Sequence, residues 1–194
     1  MYEIPTSIEI DGRKFQIRNN GDYRVILDCF EVLKAQELDV KERLLACLLI
    51  FYQDFSTIED IANLSNVDKL VTEMYNFFNC GSASHVGTQM KHSVVDWKED
   101  SQLICSAINN VAGKEVRAEP YIHWWTFMGY YTAIGESPIS SIIKIRTKML
   151  ENKKLEKYEK EFKQRNPQYF VWNSTTMEES EADKLAREIW NSGG

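Results

Sequence analysis

The chain has 194 residues, 43% of them hydrophobic and 12% aromatic, with a net charge of −6 and a pI near 5.2. That length suits one domain, or two small ones, burying about 70% of the unfolded surface. An acidic balance argues against nucleic acid as a main partner, because phosphate binding needs a basic surface. The longest apolar run, Leu44 to Tyr52, is about half of the roughly 20 residues a spanning helix needs, so no membrane partner is expected. Met1–Pro5 has neither the basic nor the apolar part of a secretory signal. The cysteines at 29, 47, 80 and 105 form no CxxC spacing and read as the reduced thiols of a cytoplasmic protein. Cys80 and His85 find no second Cys/His pair, so neither metal nor cofactor is expected.

Ser7–Ile10, Asp11-Gly12 and Arg13–Ile17 read as a β-hairpin. Asp-Gly tolerates the positive φ of a two-residue turn, and the register sets Ile8 opposite Phe15. Helices follow. Asp22 to about Gln36 places Tyr23, Ile26, Leu27, Phe30 and Leu33 on one face. Asp39-Val40-Lys41-Glu42 is a capping box that opens a helix to about Phe55. Ser56-Thr57-Ile58-Glu59 starts a short helix near Ile61. Ser65–Asp68 starts another with Leu70, Val71, Met74, Phe77 and Phe78 apolar, ending at Gly81. Residues 80–92 are small and polar, a candidate mobile loop without a phosphate-binding glycine pattern.

Ser93 to Ala112 reads as a helix stopped by Gly113, with a stripe of Trp97, Ile104, Ala107, Ile108 and Val111 and with Asp100 in its middle. Pro138 to about Leu150 mirrors it, with Ile139, Ile142, Ile143, Met149 and Leu150 around Arg146. An inward acid and an inward base predict a buried Asp100–Arg146 pair. An indole N–H of Trp124 or Trp125 is a candidate bridge to it, and Asp96 a candidate second acid. Between these helices, Pro120 to Gly135 carries no Asp, Glu, Lys or Arg. Its apolar side chains go round a helical wheel, which predicts a central helix buried on every side. The fold class expected is therefore mainly α: a multi-helix bundle around a buried helix at about 120–135, with a small N-terminal β-hairpin at about 7–17. Glu151 to Arg165 alternates charges and reads as a largely solvated helix, broken at Asn166-Pro167. The domain division expected is 1–172, helical, and 173–194, a linker and C-terminal helical arm.

Each candidate site has a plain alternative. Asp96, Asp100 and Arg146 are an acid–base set or a structural ion pair. His123 is a general base or a packed histidine, since no serine or cysteine nucleophile stands at a recognisable elbow. Trp124 and Trp125 point about 100° apart on a helix, so they make core contacts rather than one stacking platform. Tyr158, Phe162, Tyr169, Phe170 and Trp172 lie outside the main helical pattern. They either fold back on the core or form a partner-binding surface.

These pieces together carry a resemblance. Ile4-Pro5 with Ile8–Gly12, Asp22-Tyr23-Arg24 with Leu27, Asp96–Asp100 with Ile104 and Ala107, His123–Phe127 and Ile145-Arg146 resemble the bacteriophage gp-fifteen family of tailed phages and prophages of Gram-positive bacteria. The match spans about residues 1–172. It departs at Val111–Val116, where a segment closer to Tyr-Gly-Ile-Asp-Leu is expected. The resemblance implies a tail assembly chaperone of long-tailed phages, which holds the tape measure protein soluble while the tail tube polymerises. It implies no enzymatic role, and the host cytoplasm rather than the finished virion as location. Implied partners are the tape measure protein, the major tail tube protein, a companion chaperone and a second copy of the chain. A structural completion or connector protein retained in the virion is the alternative, and an enzyme using Asp96, Asp100 and His123 is a third reading.

Overall fold

Asp11 and Gly12 both take positive φ, 53° and 77°, the conformation a two-residue hairpin turn requires. They join β1 (Ser7–Ile10) to β2 (Arg13–Gln16), with Ile8 opposite Phe15 as predicted. The computed structural model describes residues 3–62, 64–81 and 94–171. Among these are eight α-helices and this one strand pair, so the chain is mainly α with a small N-terminal hairpin. The described chain falls into two compact units. The expected linker and arm at 173–194, and all but the first two residues of the expected loop at 80–92, lie outside the described residues.

The first unit contains the hairpin, α1 (Tyr23–Leu33), α2 (Val40–Phe51), α3 (Ile58–Ala62), α4 (Val67–Phe78) and the start of α6 (Trp124–Thr132). Asp39 and Glu42 form the expected capping box, each side chain accepting from the other's backbone N–H at 2.8 Å. Helix α2 stops at Phe51 rather than Phe55 because Arg18 intercepts its end. The guanidinium donates to the carbonyls of Leu49 and Ile50 at 2.9 Å and of Tyr52 at 3.1 Å. A cation on the last carbonyls satisfies acceptors that no further helical turn supplies. Tyr52 turns extended, bridges Ile17 and donates its hydroxyl to Leu70 O at 2.9 Å. All five apolar residues read on α4 are buried. Rings fill the centre: Phe51 and Phe78 meet edge-on at 5.5 Å, and Tyr23 stacks on Phe127 at 4.3 Å. Each fully buried Phe of this kind contributes roughly 1.5–3 kcal/mol of transfer free energy.

The second unit holds α5 (Ser101–Ala112), the end of α6, α7 (Pro138–Leu150) and α8 (Lys157–Arg165). Helix α7 has the expected bounds, with Ser137 and Ser140 closing a capping box and Pro138 in its first turn. Ile145 joins Ile139 and Ile142 in the buried stripe, while the expected Ile143, Met149 and Leu150 are half-buried. Helix α5 begins at Ser101, not Ser93. The reason is local: Asp96 Oδ1 accepts from the N–H of Lys98 and Glu99 at 3.0 Å, and Asp100 Oδ2 accepts from Asp96 N–H at 2.9 Å. Aspartates that take their own backbone donors compete with the helix. Val111, expected in the stripe, is 39% exposed.

The charge-free stretch is helical over a shorter span than 120–135. Helix α6 covers Trp124–Thr132, with Trp124 and Phe127 buried and Gly129 and Thr132 exposed. Residues 121–123 are instead held extended by Asp22. Its Oδ2 accepts from Ile122 N–H at 3.0 Å, Tyr23 N–H donates to Ile122 O at 2.9 Å, and Asp22 bridges His123. The absence of charge thus marks burial for the first half of α6 only.

Candidate functional site

The matched acid and base form the pair the two stripes predict. Arg146 donates to both carboxylate oxygens of Asp100, at 2.5 and 3.0 Å. Both side chains are about 99% buried. The guanidinium is used further: Nε donates to Tyr169 O and Nη1 to Val94 O, each at 2.9 Å. A bidentate pair with its other donors on carbonyls is the geometry in which a buried charge is tolerated. It fastens α7, the turn before α5 and the 3-10 turn Pro167–Phe170 to one point. Asp96 gives its Oδ1 to the turn 97–99. Trp97, half-buried, lies against Tyr131 with centroids 5.0 Å apart.

The tryptophans do not bridge this pair. Trp124 Nε1 donates to Phe78 O and Trp125 Nε1 to Phe77 O, each at 2.9 Å. Both indoles therefore cap the end of α4 in the first unit, where the last carbonyls lack helical partners. His123 closes the same corner. Its Nε2–H donates to Pro5 O at 3.0 Å, and its Nδ1 accepts from Trp125 N–H at 3.1 Å. A carbonyl can only accept and an N–H only donate, so the ring is neutral with its proton on Nε2. Burial pushes its pKa below the usual histidine value, against the opposing pull of Pro5 O and Asp22. A ring with both nitrogens engaged has no lone pair left for proton abstraction. Gly21 lets the ring sit there: at φ +79°, its missing Cβ would lie 2.8 Å from Phe77 Cζ and 3.0 Å from His123 Nε2.

Residues 1–170 match the family model described as Bacteriophage Gp15 protein. The chain belongs to this family. No curated protein and no solved structure matches it. Within the family's matched span, the positions read as a signature, Asp96, Trp97, Asp100, His123, Trp124, Trp125 and Arg146, fall into two clusters, one in each unit. The arginine pair occupies the second, and the His–Trp–Trp corner occupies the first.

The late aromatics of this family member divide. Phe162 and Phe170 meet edge-on at 6.4 Å, and with Tyr169 they are half-buried in the second unit. Tyr158 is 59% exposed. Trp172 lies outside the described residues. Tyr158 and Phe162 line a cleft of about 520 Å³ between α7 and α8, with Ile145, Lys144 and Glu159. Helix α8 is largely solvated as expected, but it begins at Lys157 rather than Glu151, and Glu159 within it is 1% exposed. Burial raises its pKa, but Lys148 Nζ at 2.7 and 2.8 Å, Glu156 N–H and the Tyr158 hydroxyl outweigh that and hold it below the usual glutamate value.

Four residues that matter here carry weak sequence signals. Arg18, Gly21 and Asp22 sit in one short turn, and only Asp22 has a cap signature. Glu159 falls in a run of alternating charges and has none. What separates them from their neighbours is contact with residues far along the chain.

Proposed function

We propose that the chain is a tail assembly chaperone that keeps the tape measure protein soluble in the host cytoplasm while the tail tube is built. It does so without catalysis and leaves before the virion is complete. The family match over residues 1–170 carries this reading. The engagement of Asp100, Arg146 and His123 in structural hydrogen bonds supports it. No helix among the described residues is long and apolar enough to cross a membrane, consistent with work in solution. The partners proposed are the tape measure protein, the tail tube protein and a companion chaperone, in a Gram-positive host. Long helical clients are bound by groove-and-anchor contacts, and Tyr158 beside the α7–α8 cleft is the anchor on offer.

Co-expression with the tape measure protein of the same phage tests the reading. The expected result is a shift of the client into the soluble fraction and co-elution with this chain. A client that stays insoluble, with no complex formed, rejects it. Mass spectrometry of purified virions gives the second measurement: near absence is expected, and stoichiometric presence points to a structural tail component instead.

A further inference from the structure

The charge of the chain is unevenly placed. From Pro138 to Arg165 it carries nine Lys/Arg and four Asp/Glu, although the whole chain has a net charge of −6. Arg146 is held by Asp100, Lys144 and Lys148 by Glu159, and Lys153 by Glu151. Lys154, Lys157, Lys160, Lys163 and Arg165 form no ion pair among the described residues. Lys154, Lys157, Lys160 and Arg165 are exposed, and on the same stretch Tyr158, 59% exposed, lines the α7–α8 cleft beside Lys144. An exposed aromatic with a charged rim has the anatomy of an interface centre.

The complementary surface lies on the same chain. Leu44 to Asp68 contains no Lys or Arg and four acids. Asp54, Glu59 and Asp60 are exposed, and Ile58 between them is 48% exposed. An apolar centre with an acidic rim faces solvent there. We propose that the α7–α8 face docks a second copy of the chain through that copy's 53–60 segment, Ile58 meeting Tyr158 and the acids meeting the lysines. The two patches differ, so the contact is head to tail and builds a ring or an open row of copies. The inference does not rest on the chaperone reading; a client bound at Tyr158 would compete with the second copy, and the test reads oligomeric state, so failure of one is distinguishable from failure of the other.

Sedimentation velocity of the full-length chain tests it, with circular dichroism to check folding. Association that grows with concentration and weakens with salt is expected. Lys154→Glu/Lys157→Glu/Lys160→Glu should raise the dissociation constant roughly tenfold or more, because like charges then face each other. Gln53→Lys/Glu59→Lys, at exposed positions, should do the same. An equimolar mixture of the two folded variants should associate again, since each supplies the charge the other now needs. A wild-type chain monomeric at low salt overturns the proposal. So does a mixture that fails to reassociate, or association unchanged by either variant. Capture of an acidic segment of another protein by a monomeric chain likewise overturns it in favour of a different occupant.

Discussion

The two units use buried polar side chains in opposite ways. In the first, such groups chiefly serve the backbone, although Asp22 also pairs with Arg24 at 3.0 Å. Arg18 caps α2, the two indoles cap α4, Asp22 takes the N–H of Arg24 and Ile122, and His123 joins Pro5 O to Trp125 N–H. In the second, they chiefly serve one another: Arg146 with Asp100, and Lys148 with Glu159. The consequence is energetic. A side chain that caps a neutral carbonyl leaves one unsatisfied acceptor when removed, about 1–3 kcal/mol. A charge removed from a buried pair strands its partner, which costs more, while removing both costs much less.

That contrast predicts a hierarchy. Arg146→Met should destabilise most, by about 3–5 kcal/mol, with Asp100→Leu close behind. The double variant should be more stable than either single one. Urea unfolding read by tryptophan fluorescence measures all three, and strictly additive losses would show that the pair is not the coupled unit described. Trp124→Phe belongs to the other regime. It strands Phe78 O and trims a ring that packs edge-on against Phe30 at 5.6 Å. A loss of about 1–3 kcal/mol is expected, with no rescue by any second substitution at Phe78, whose contribution is a backbone carbonyl. Gly21→Ala should cost about 1–2 kcal/mol through its left-handed φ and the clash with Phe77. Gly12→Ala, at φ +77° but with nothing within 4 Å of the added carbon, separates the two causes. If both cost the same, backbone strain alone accounts for Gly21.

How far these features can be read from the residues depends on how far apart the partners stand. The hairpin turn, the capping boxes of α2 and α7 and the start of α4 are set within a few positions, and pattern alone locates them; α4 ends at Phe78, short of the expected Gly81. The Asp100–Arg146 pair spans 46 positions, yet two amphipathic stripes each interrupted by one charge point to it. The start of α6 is different. Residues 121–123 are extended because Asp22, 100 positions earlier, claims Ile122 N–H, and no local signal in Pro120–His123 says so. The indole partners are hidden for the same reason: nothing near Trp124 marks the end of α4 as its acceptor. The late start of α5 was within reach, since two aspartates four positions apart are a local competitor for backbone donors. The apolar stripe running on from Trp97 masked it. Glu159 illustrates the remaining gap. One buried carboxylate in an alternating run is recognisable only once Lys148 and Tyr158 are seen around it.

The smallest effect expected is a pH dependence that separates the histidine corner of the first unit from carboxylates in both units. His123 is buried neutral, and its pKa lies below the ordinary value of 6.5. In the unfolded chain the ring takes up a proton as pH falls through about 6.5, and in the folded chain it does so only at lower pH. Between these limits the unfolded state binds more protons, so stability is full above 6.5 and falls as pH drops towards the folded value, below which this contribution stays constant. The depressed carboxylates Asp11, Asp60, Glu115 and Glu159 lose their contribution only at more acidic pH, from their ordinary values of 3.8 to 4.5 downwards. Glu115 is held at about 2 by Arg117. Melting curves from pH 7 to about 5 therefore isolate the histidine corner from the carboxylates. His123→Gln, whose amide can still donate to Pro5 O and accept from Trp125 N–H, should flatten the curve in that window while leaving the more acidic limb in place. A wild-type curve and a His123→Gln curve of equal slope would mean that the ring takes up its proton at the same pH folded and unfolded, so that burial does not hold it neutral.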